Sequence, residues 1–136
     1  MKTQEDSGAA AETKAEDVIR HERIYRFKRD FRLKGRNDIQ AVFKQGKNFS
    51  CSGAKLLVKK NNLTYNRICF TFTRGFGNAV KRNHSRRLSR EAFRLLQVRL
   101  HGGHDFVFLV FPGNQVSLAT RTRQLEILFS KAGLLK

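Results

Sequence analysis

The chain lacks tryptophan, has a single proline and two cysteines, and contains no long apolar run. No stretch approaches the ~20 apolar residues of a membrane-spanning helix, so the sequence predicts none. Cys51 and Cys69 form no Cys-x-x-Cys pair, which indicates reduced, unpaired thiols, with a disulfide as the less favoured alternative. The N-terminus is polar and acidic, without the apolar core of a secretory signal, so we expect a cytoplasmic protein.

Acidic residues are also scarce: beyond the N-terminal stretch the carboxylates are Glu22, Asp30, Asp38, Glu91, Asp105 and Glu126. A protein nuclease needs clustered carboxylates or an acid–base pair, and these are scattered. His101 and His104 have His-x-x-His spacing, but two glycines separate them, so we interpret them as loop residues rather than zinc ligands. No phosphate-binding Gly-Lys-Thr loop, nucleophile elbow or dinucleotide fingerprint occurs. The sequence predicts a binding protein with no catalytic residue and no metal ligand of its own.

Basic residues, in contrast, are abundant, with 28 Lys and Arg against 11 Asp and Glu. The charge is uneven, because residues 1–19 hold two lysines and five acids while the remainder holds 26 basic and six acidic residues. Such a charge indicates a polyanionic partner, either nucleic acid or an anionic membrane. The membrane is the less favoured alternative, because the chain has no tryptophan-anchored apolar helix face.

The length and composition predict one folded domain preceded by an extension. Hydrophobic residues make up 40% of the 136 residues, including twelve phenylalanines, which is enough for one core. Residues 1–24 are poor in bulky apolar residues and are predicted to be a disordered or weakly helical acidic extension. Residues 25–136 form the predicted domain.

Hydrophobic periodicity predicts alternating helices and strands in the domain. A helix through Gln45 is expected to be capped at Asn37 or Asp38, to be ended by Gly46, and to have an apolar face of Ile39, Val42 and Phe43. Strands are expected over residues 54–59 and 68–73, with another short strand near Cys51, and a strand buried on both faces over residues 105–111. A last helix should begin after the cap Ser117 and end at Gly133; its predicted buried stripe is Leu118, Leu125, Leu128, Phe129 and Ala132. The predicted fold class is an α/β sandwich of three main helices over a small mixed sheet.

The most informative segment is the basic helix expected over residues 80–100, with Asn78 as its cap. At about 100° per residue, an apolar arc is predicted to dock on the core, consisting of Val80, Leu88, Ala92, Leu95, Leu96 and Val98. The opposite arc holds Arg82, Asn83, Arg86, Arg87, Arg90 and Arg94, with Phe93 among them. A solvated charged face is the alternative, but with Glu91 the one nearby acid, the arginines favour RNA or DNA binding.

This segment resembles the signature of the bacterial ribonuclease P protein subunit family. The matching residues are Gly77, Asn78, Ala79, Val80, Arg82, Asn83, Arg87, Arg90 and Glu91. Arg86 replaces a lysine, and the sequence departs from the family at His84, where an arginine is usual. The resemblance extends over residues 26–133 and includes residues 32–46 and 67–73.

The resemblance implies a ribonuclease P protein-like fold, with a left-handed crossover around the basic helix. It implies a protein subunit that binds a catalytic RNA and the single-stranded 5′ leader of precursor tRNA, one protein per RNA, in a holoenzyme that removes the leader. It also implies that the RNA does the chemistry with Mg²⁺ that is bound mainly by the RNA.

Site residues follow from the same resemblance. The expected RNA-contacting set is Arg74, Lys81, Arg82, Asn83, His84, Arg86, Arg87, Arg90 and Arg94. Phe43, Thr71 and Thr73 are expected to line the leader cleft, with an ordinary core position as the alternative for Phe43. Ile39 and Leu57 stand where relatives often have aromatic residues. The functional alternatives are a basic ribosomal or other structural RNA-binding protein and, less favoured, a protein-only nuclease.

Overall fold

A computed structural model describes residues 31–113 and 116–136, so the predicted extension over residues 1–24 lies outside the described residues. The elements follow in the predicted order, and the extra strand near Cys51 is present. They are α1 (Arg36–Gln45), β1 (Lys47–Cys51), β2 (Ala54–Lys60), β3 (Arg67–Phe72), α2 (Ala79–Leu96), β4 (His104–Val110) and α3 (Leu118–Lys131). A short 3-10 turn, Gln97–Arg99, follows α2, which therefore ends before the predicted residue 100.

The four strands form one mixed sheet in the order β1-β2-β4-β3. β4 is antiparallel to β2 and parallel to β3, with Phe70 opposite Phe108 in the parallel pair. As predicted, β4 is interior and almost wholly buried. The chain passes from β3 to β4 through α2, and the handedness of this crossover stays a prediction.

Strand alternation sends apolar side chains to both faces of the sheet. The larger core lies under α2 and α3, where Ile68 and Phe106 from the strands meet Phe93 and Phe129 from the helices. A smaller cluster lies on the other face, where Val42 of α1 packs with Leu33, Leu57 and Val107. The predicted α/β sandwich is confirmed, and α1 stands alone on the second face.

The prediction of which α2 face docks on the core is correct for Ala92 and Leu96 but wrong about the centre of that face. The buried α2 residues are Ser85, Ser89, Ala92, Phe93 and Leu96. Val80, predicted to be buried, is 76% exposed, and Leu95 is also exposed. Phe93, placed among the arginines by the prediction, packs edge-on against Phe70 and Phe106. The helix is rotated relative to the predicted orientation because two small serines, Ser85 and Ser89, allow it to approach α3 closely. Hydrophobicity alone ranks serine as a surface residue, so it could not indicate this rotation.

Helices α2 and α3 each begin at a residue whose side chain caps the helix. Asn78 Oδ1 accepts the Lys81 N–H at 3.0 Å, and Ser117 Oγ accepts the Thr120 N–H at 3.1 Å, so both predicted caps are confirmed. The predicted cap of α1 at Asn37 or Asp38 is wrong, because the helix begins at Arg36 after Gly35, without a side-chain cap. α1 ends before Gly46, as predicted.

The predicted apolar face of α1 needs a second correction. Val42 is fully buried and Ile39 is half-buried, but Phe43 is 48% exposed. The core alternative for Phe43 is therefore excluded, and its ring is available to a ligand.

Candidate nucleic-acid interface

The exposed side of α2 presents arginines along the edge strand β3. Arg86 Cζ lies 5.2 Å from the centroid of the Phe72 ring on that strand, a cation–π contact. Asn83 Oδ1 accepts a hydrogen bond from Arg86 Nη1 at 3.1 Å. These contacts hold the Arg86 guanidinium at the edge of the sheet rather than letting it extend freely into solvent.

Like charges are crowded on this surface. Burial lowers the pKa of Arg90, and the neighbouring Arg32, Arg86 and Arg87 lower it further. Guanidinium groups of like charge that lie this close together repel one another. A bound polyanion would relieve that repulsion, which favours nucleic acid as the partner.

Besides Arg86, the predicted RNA-contacting residues Arg82 and Arg94 also have hydrogen-bond partners among the described residues. Arg82 Nη1 donates to the Gly77 carbonyl at 2.7 Å, which ties the helix to the preceding turn. Arg94 Nε donates to Glu91 Oε2 at 2.9 Å, and its Nη2 also contacts Glu91 Oε1. This pair raises the pKa of Arg94 and lowers the pKa of Glu91. Glu91, the one acid of α2, therefore partly neutralises Arg94.

The remaining predicted contacts are distributed around the start of α2. Arg74 and Arg87 are exposed. Lys81 and His84 are also exposed, but they line a cavity on the α3 side of the helix, away from β3. The predicted set is therefore divided between two surfaces.

The predicted leader-cleft residues lie on the α1 face of the sheet. Cys69 packs at the edge of the α1 cluster, and Thr71, two residues further along β3, points to the same face. Thr73 continues the β3 ladder by donating its N–H to the Val110 carbonyl at 3.2 Å. Its buried Oγ1 has no hydrogen-bond partner in the described part of the chain. Thr71 therefore lies on the sheet face that α1 packs against, and Phe43 is an exposed ring on that helix.

An ion-pair cluster that sequence reasoning missed anchors α1 to the sheet. Arg67 on β3 donates to both carboxylate oxygens of the buried Asp105, at 2.8 and 2.7 Å. These hydrogen bonds raise the pKa of Arg67. Arg67 Nη1 also lies 3.6 Å from Asp38 Oδ2 in the first turn of α1. Acids that are scattered in sequence thus serve as structural partners of an arginine.

A second missed feature is the buried guanidinium of Arg121 on α3, which is 3% exposed. Its Nη1 donates to Ser85 Oγ at 3.0 Å and Ser89 Oγ at 2.5 Å, and its Nε donates to Gln124 Oε1 at 2.9 Å. Burial lowers the pKa of Arg121 to about 10, so it remains charged at neutral pH. One sequence feature does indicate this burial: Arg121 is in line with Leu118, Leu125 and Leu128 in the apolar stripe of α3.

Other features of the described residues bear on the earlier interpretations. Cys51 and Cys69 are free thiols, as predicted. Burial raises the pKa of both.

His104 begins β4 and stacks on Phe106, whereas His101 is exposed. Over residues 31–113 and 116–136, no three His, Cys, Asp or Glu side chains are grouped as metal ligands. No helix in these ranges has the length and apolarity needed to cross a membrane.

Comparison with known proteins identifies relatives over most of the domain. The family model described as ribonuclease P matches residues 27–133. The ribonuclease P protein component of Borreliella burgdorferi is 45% identical over 89 residues, covering 63% of this chain and 75% of the relative. That of Borrelia garinii subsp. bavariensis is 44% identical over 93 residues, covering 67% and 84%.

A solved structure agrees in fold. The ribonuclease P protein from Thermotoga maritima superposes with a TM-score of 0.66 at 30% identity, covering 74% of this chain and 96% of that one. The family-model match over residues 27–133 includes every helix and strand from α1 to α3. The chain therefore belongs to the ribonuclease P protein family.

Proposed function

We propose that this chain is the protein subunit of ribonuclease P and supports removal of the 5′ leader from precursor tRNA by a catalytic RNA. The observation that carries the proposal is the crowded arginine surface of α2 beside β3, with a separate polar and aromatic cleft on the α1 face. The first surface suits the RNA phosphate backbone, and the second suits unpaired bases.

In this proposal the phosphodiester chemistry belongs to the RNA subunit. The acids Asp38 and Asp105 are engaged by Arg67, and Glu91 is engaged by Arg94. They therefore serve the fold rather than a metal. Mg²⁺ would be bound mainly by the RNA, and the arginines would lower the Mg²⁺ requirement by neutralising phosphates that Mg²⁺ otherwise screens.

The leader would lie across the α1 face of the sheet. Phe43 offers a half-exposed ring on which an unpaired base can stack, and such stacking contributes about 1–3 kcal/mol per base. Thr73 Oγ1 lacks a partner in the described residues, but it is buried, so a local movement would have to expose it before it could bond a base edge or phosphate. Neither Thr71 nor Thr73 adds charge, so this cleft would hold the leader through stacking and hydrogen bonds.

The assembly would be a cytoplasmic ribonucleoprotein with one protein per RNA. An affinity-tagged copy purified from its own cells, followed by sequencing of the bound RNA, tests the proposal. We expect a single ribonuclease P RNA together with precursor tRNAs that retain their leaders. A matched variant, Arg86→Gln with Arg90→Gln, should recover less of both RNAs. Recovery of ribosomal RNA alone would support a ribosomal role instead and would contradict the proposal.

A further inference from the structure

A cavity of about 680 Å³ lies between the first half of α2 and α3, on the sheet face opposite α1. Its wall includes Phe76, Lys81, His84, Leu88, Arg121 and Ile127. The cavity is therefore separate from the leader cleft, and its size is within the range of small-molecule sites. Neither the arginine surface beside β3 nor the α1 cleft accounts for it.

The charged residues of the cavity wall are all basic. Lys81, Arg121 and Arg123 line it together with His84, and no residue of its wall is acidic. Arg123 is paired with Glu126 at 3.1 Å. Arg121, in contrast, belongs to none of the ion pairs formed among the described residues, although its guanidinium is almost completely buried.

The buried Arg121 guanidinium has unused hydrogen-bonding capacity. Its Nε and Nη1 bond Gln124, Ser85 and Ser89, all of which are neutral. Its Nη2 donates no hydrogen bond within the part of the chain that the structure describes. An arginine carries five N–H donors in a fixed fork, so two of them remain for an anionic oxygen at the cavity.

The rest of the wall is apolar and includes an aromatic ring. Phe76 packs on Phe72 with ring centroids 4.5 Å apart, which fixes its orientation. Leu88 and Ile127 face the cavity from α2 and α3. A ligand that fits the basic part and the apolar part of the wall needs a compact anion joined to a flat apolar group. A nucleotide has a phosphate as the anion and a base as the flat group.

We propose that this cavity binds a nucleotide, with its phosphate at Arg121, Lys81 and His84 and its base against Phe76, Leu88 and Ile127. The nucleotide is either a free mononucleotide or an unpaired residue of an RNA strand, which share this chemistry. The inference does not rest on the function proposed above, because it uses the opposite face of the sheet.

The test is an NMR titration of the full chain with AMP, adenosine and inorganic phosphate, following the Arg121 Nε–Hε signal. We expect a saturable shift with AMP, with affinity at least about tenfold higher than for adenosine or phosphate. The Arg67 Nε–Hε signal, held by Asp105, serves as the internal control and should not move. Equal affinities for AMP and either fragment, or no Arg121 shift with AMP, would overturn the proposal.

A tryptophan that fills the cavity can be compared with a tryptophan at an exposed position of the same helix. Leu88→Trp should weaken AMP binding by about tenfold or more, whereas Leu95→Trp, on an exposed position of the same helix, should not. If Leu88→Trp does not fold, Ile127→Trp tests the same cavity from α3. Equal affinities of the cavity-filling variant and Leu95→Trp would contradict the site.

A five-residue single-stranded RNA distinguishes the two sources of the nucleotide. If it displaces AMP from the Arg121 signal, the site holds an RNA residue. If AMP shifts that signal and the RNA does not displace it, the site holds a free mononucleotide. Failure of both probes to move the signal would overturn the inference and leave the leader cleft and the arginine surface untouched.

Discussion

Arg121 Nη1 on α3 donates to Ser89 Oγ on α2 at 2.5 Å, and both residues are buried. The same nitrogen reaches Ser85 one turn earlier. This contact sets the rotation of α2 about its axis, because the two serines must face α3. The same rotation places Arg86 over the Phe72 ring of β3.

Arg121→Met should lower the free energy of unfolding by about 2 kcal/mol, because hydrogen bonds to a charged group contribute about 1.5–3 kcal/mol each and removal of the buried charge offsets part of the loss. Ser89→Ala should lower it by about 1 kcal/mol. Urea denaturation of both single variants and the double variant measures the coupling, which should be about 1 kcal/mol. Fully additive effects would mean that this hydrogen bond does not determine how α2 and α3 pack.

Binding of ribonuclease P RNA should depend strongly on salt. If α2 neutralises about four phosphates, log K should fall with log salt at a slope of about −3 to −4. Arg87→Ala should flatten that slope by about one unit, because Arg87 is exposed on the arginine surface. Lys136→Ala removes one charge at the end of the chain and is the control. Equal slopes for wild type and Arg87→Ala would remove Arg87 from the interface.

Phe43→Ala should weaken binding of precursor tRNA to the reconstituted complex while leaving mature tRNA binding unchanged. Loss of one stacked base corresponds to about 1–3 kcal/mol, or roughly five- to 150-fold in affinity. Protein stability should change little, because about half of the ring is already exposed. Leu63→Ala, another exposed apolar residue, is the matched control. A similar loss for mature tRNA would show that Phe43 does not contact the leader.

The sequence predicts structural features that depend on residues close to one another along the chain. The caps Asn78 and Ser117 follow from hydrogen bonds within one helical turn. The buried strand β4 follows from an uninterrupted apolar run. In each case the interaction or the pattern spans only a few residues, so it can be recognised without knowledge of the tertiary fold.

Features that depend on distant partners could not be predicted in the same way. Arg121 is buried because two serines more than 30 residues earlier accept its N–H groups. Arg67 and Asp105 are 38 residues apart and meet only because β3 and β4 are parallel. The exposure of Phe43 depends on which side of α1 packs on Leu57 and Val107, and Val42 occupies that side. Periodicity in one helix contains no information about the side chains that another element brings against it.

Cleavage of precursor tRNA at low Mg²⁺ tests the central claim most directly. Rigorously RNA-free protein, ribonuclease P RNA alone and the two together would be compared under identical conditions. We predict cleavage only with both components, because the protein supplies phosphate neutralisation and leader contacts while the RNA supplies the chemistry. Cleavage by the protein alone, or no gain from adding it to the RNA, would contradict the account.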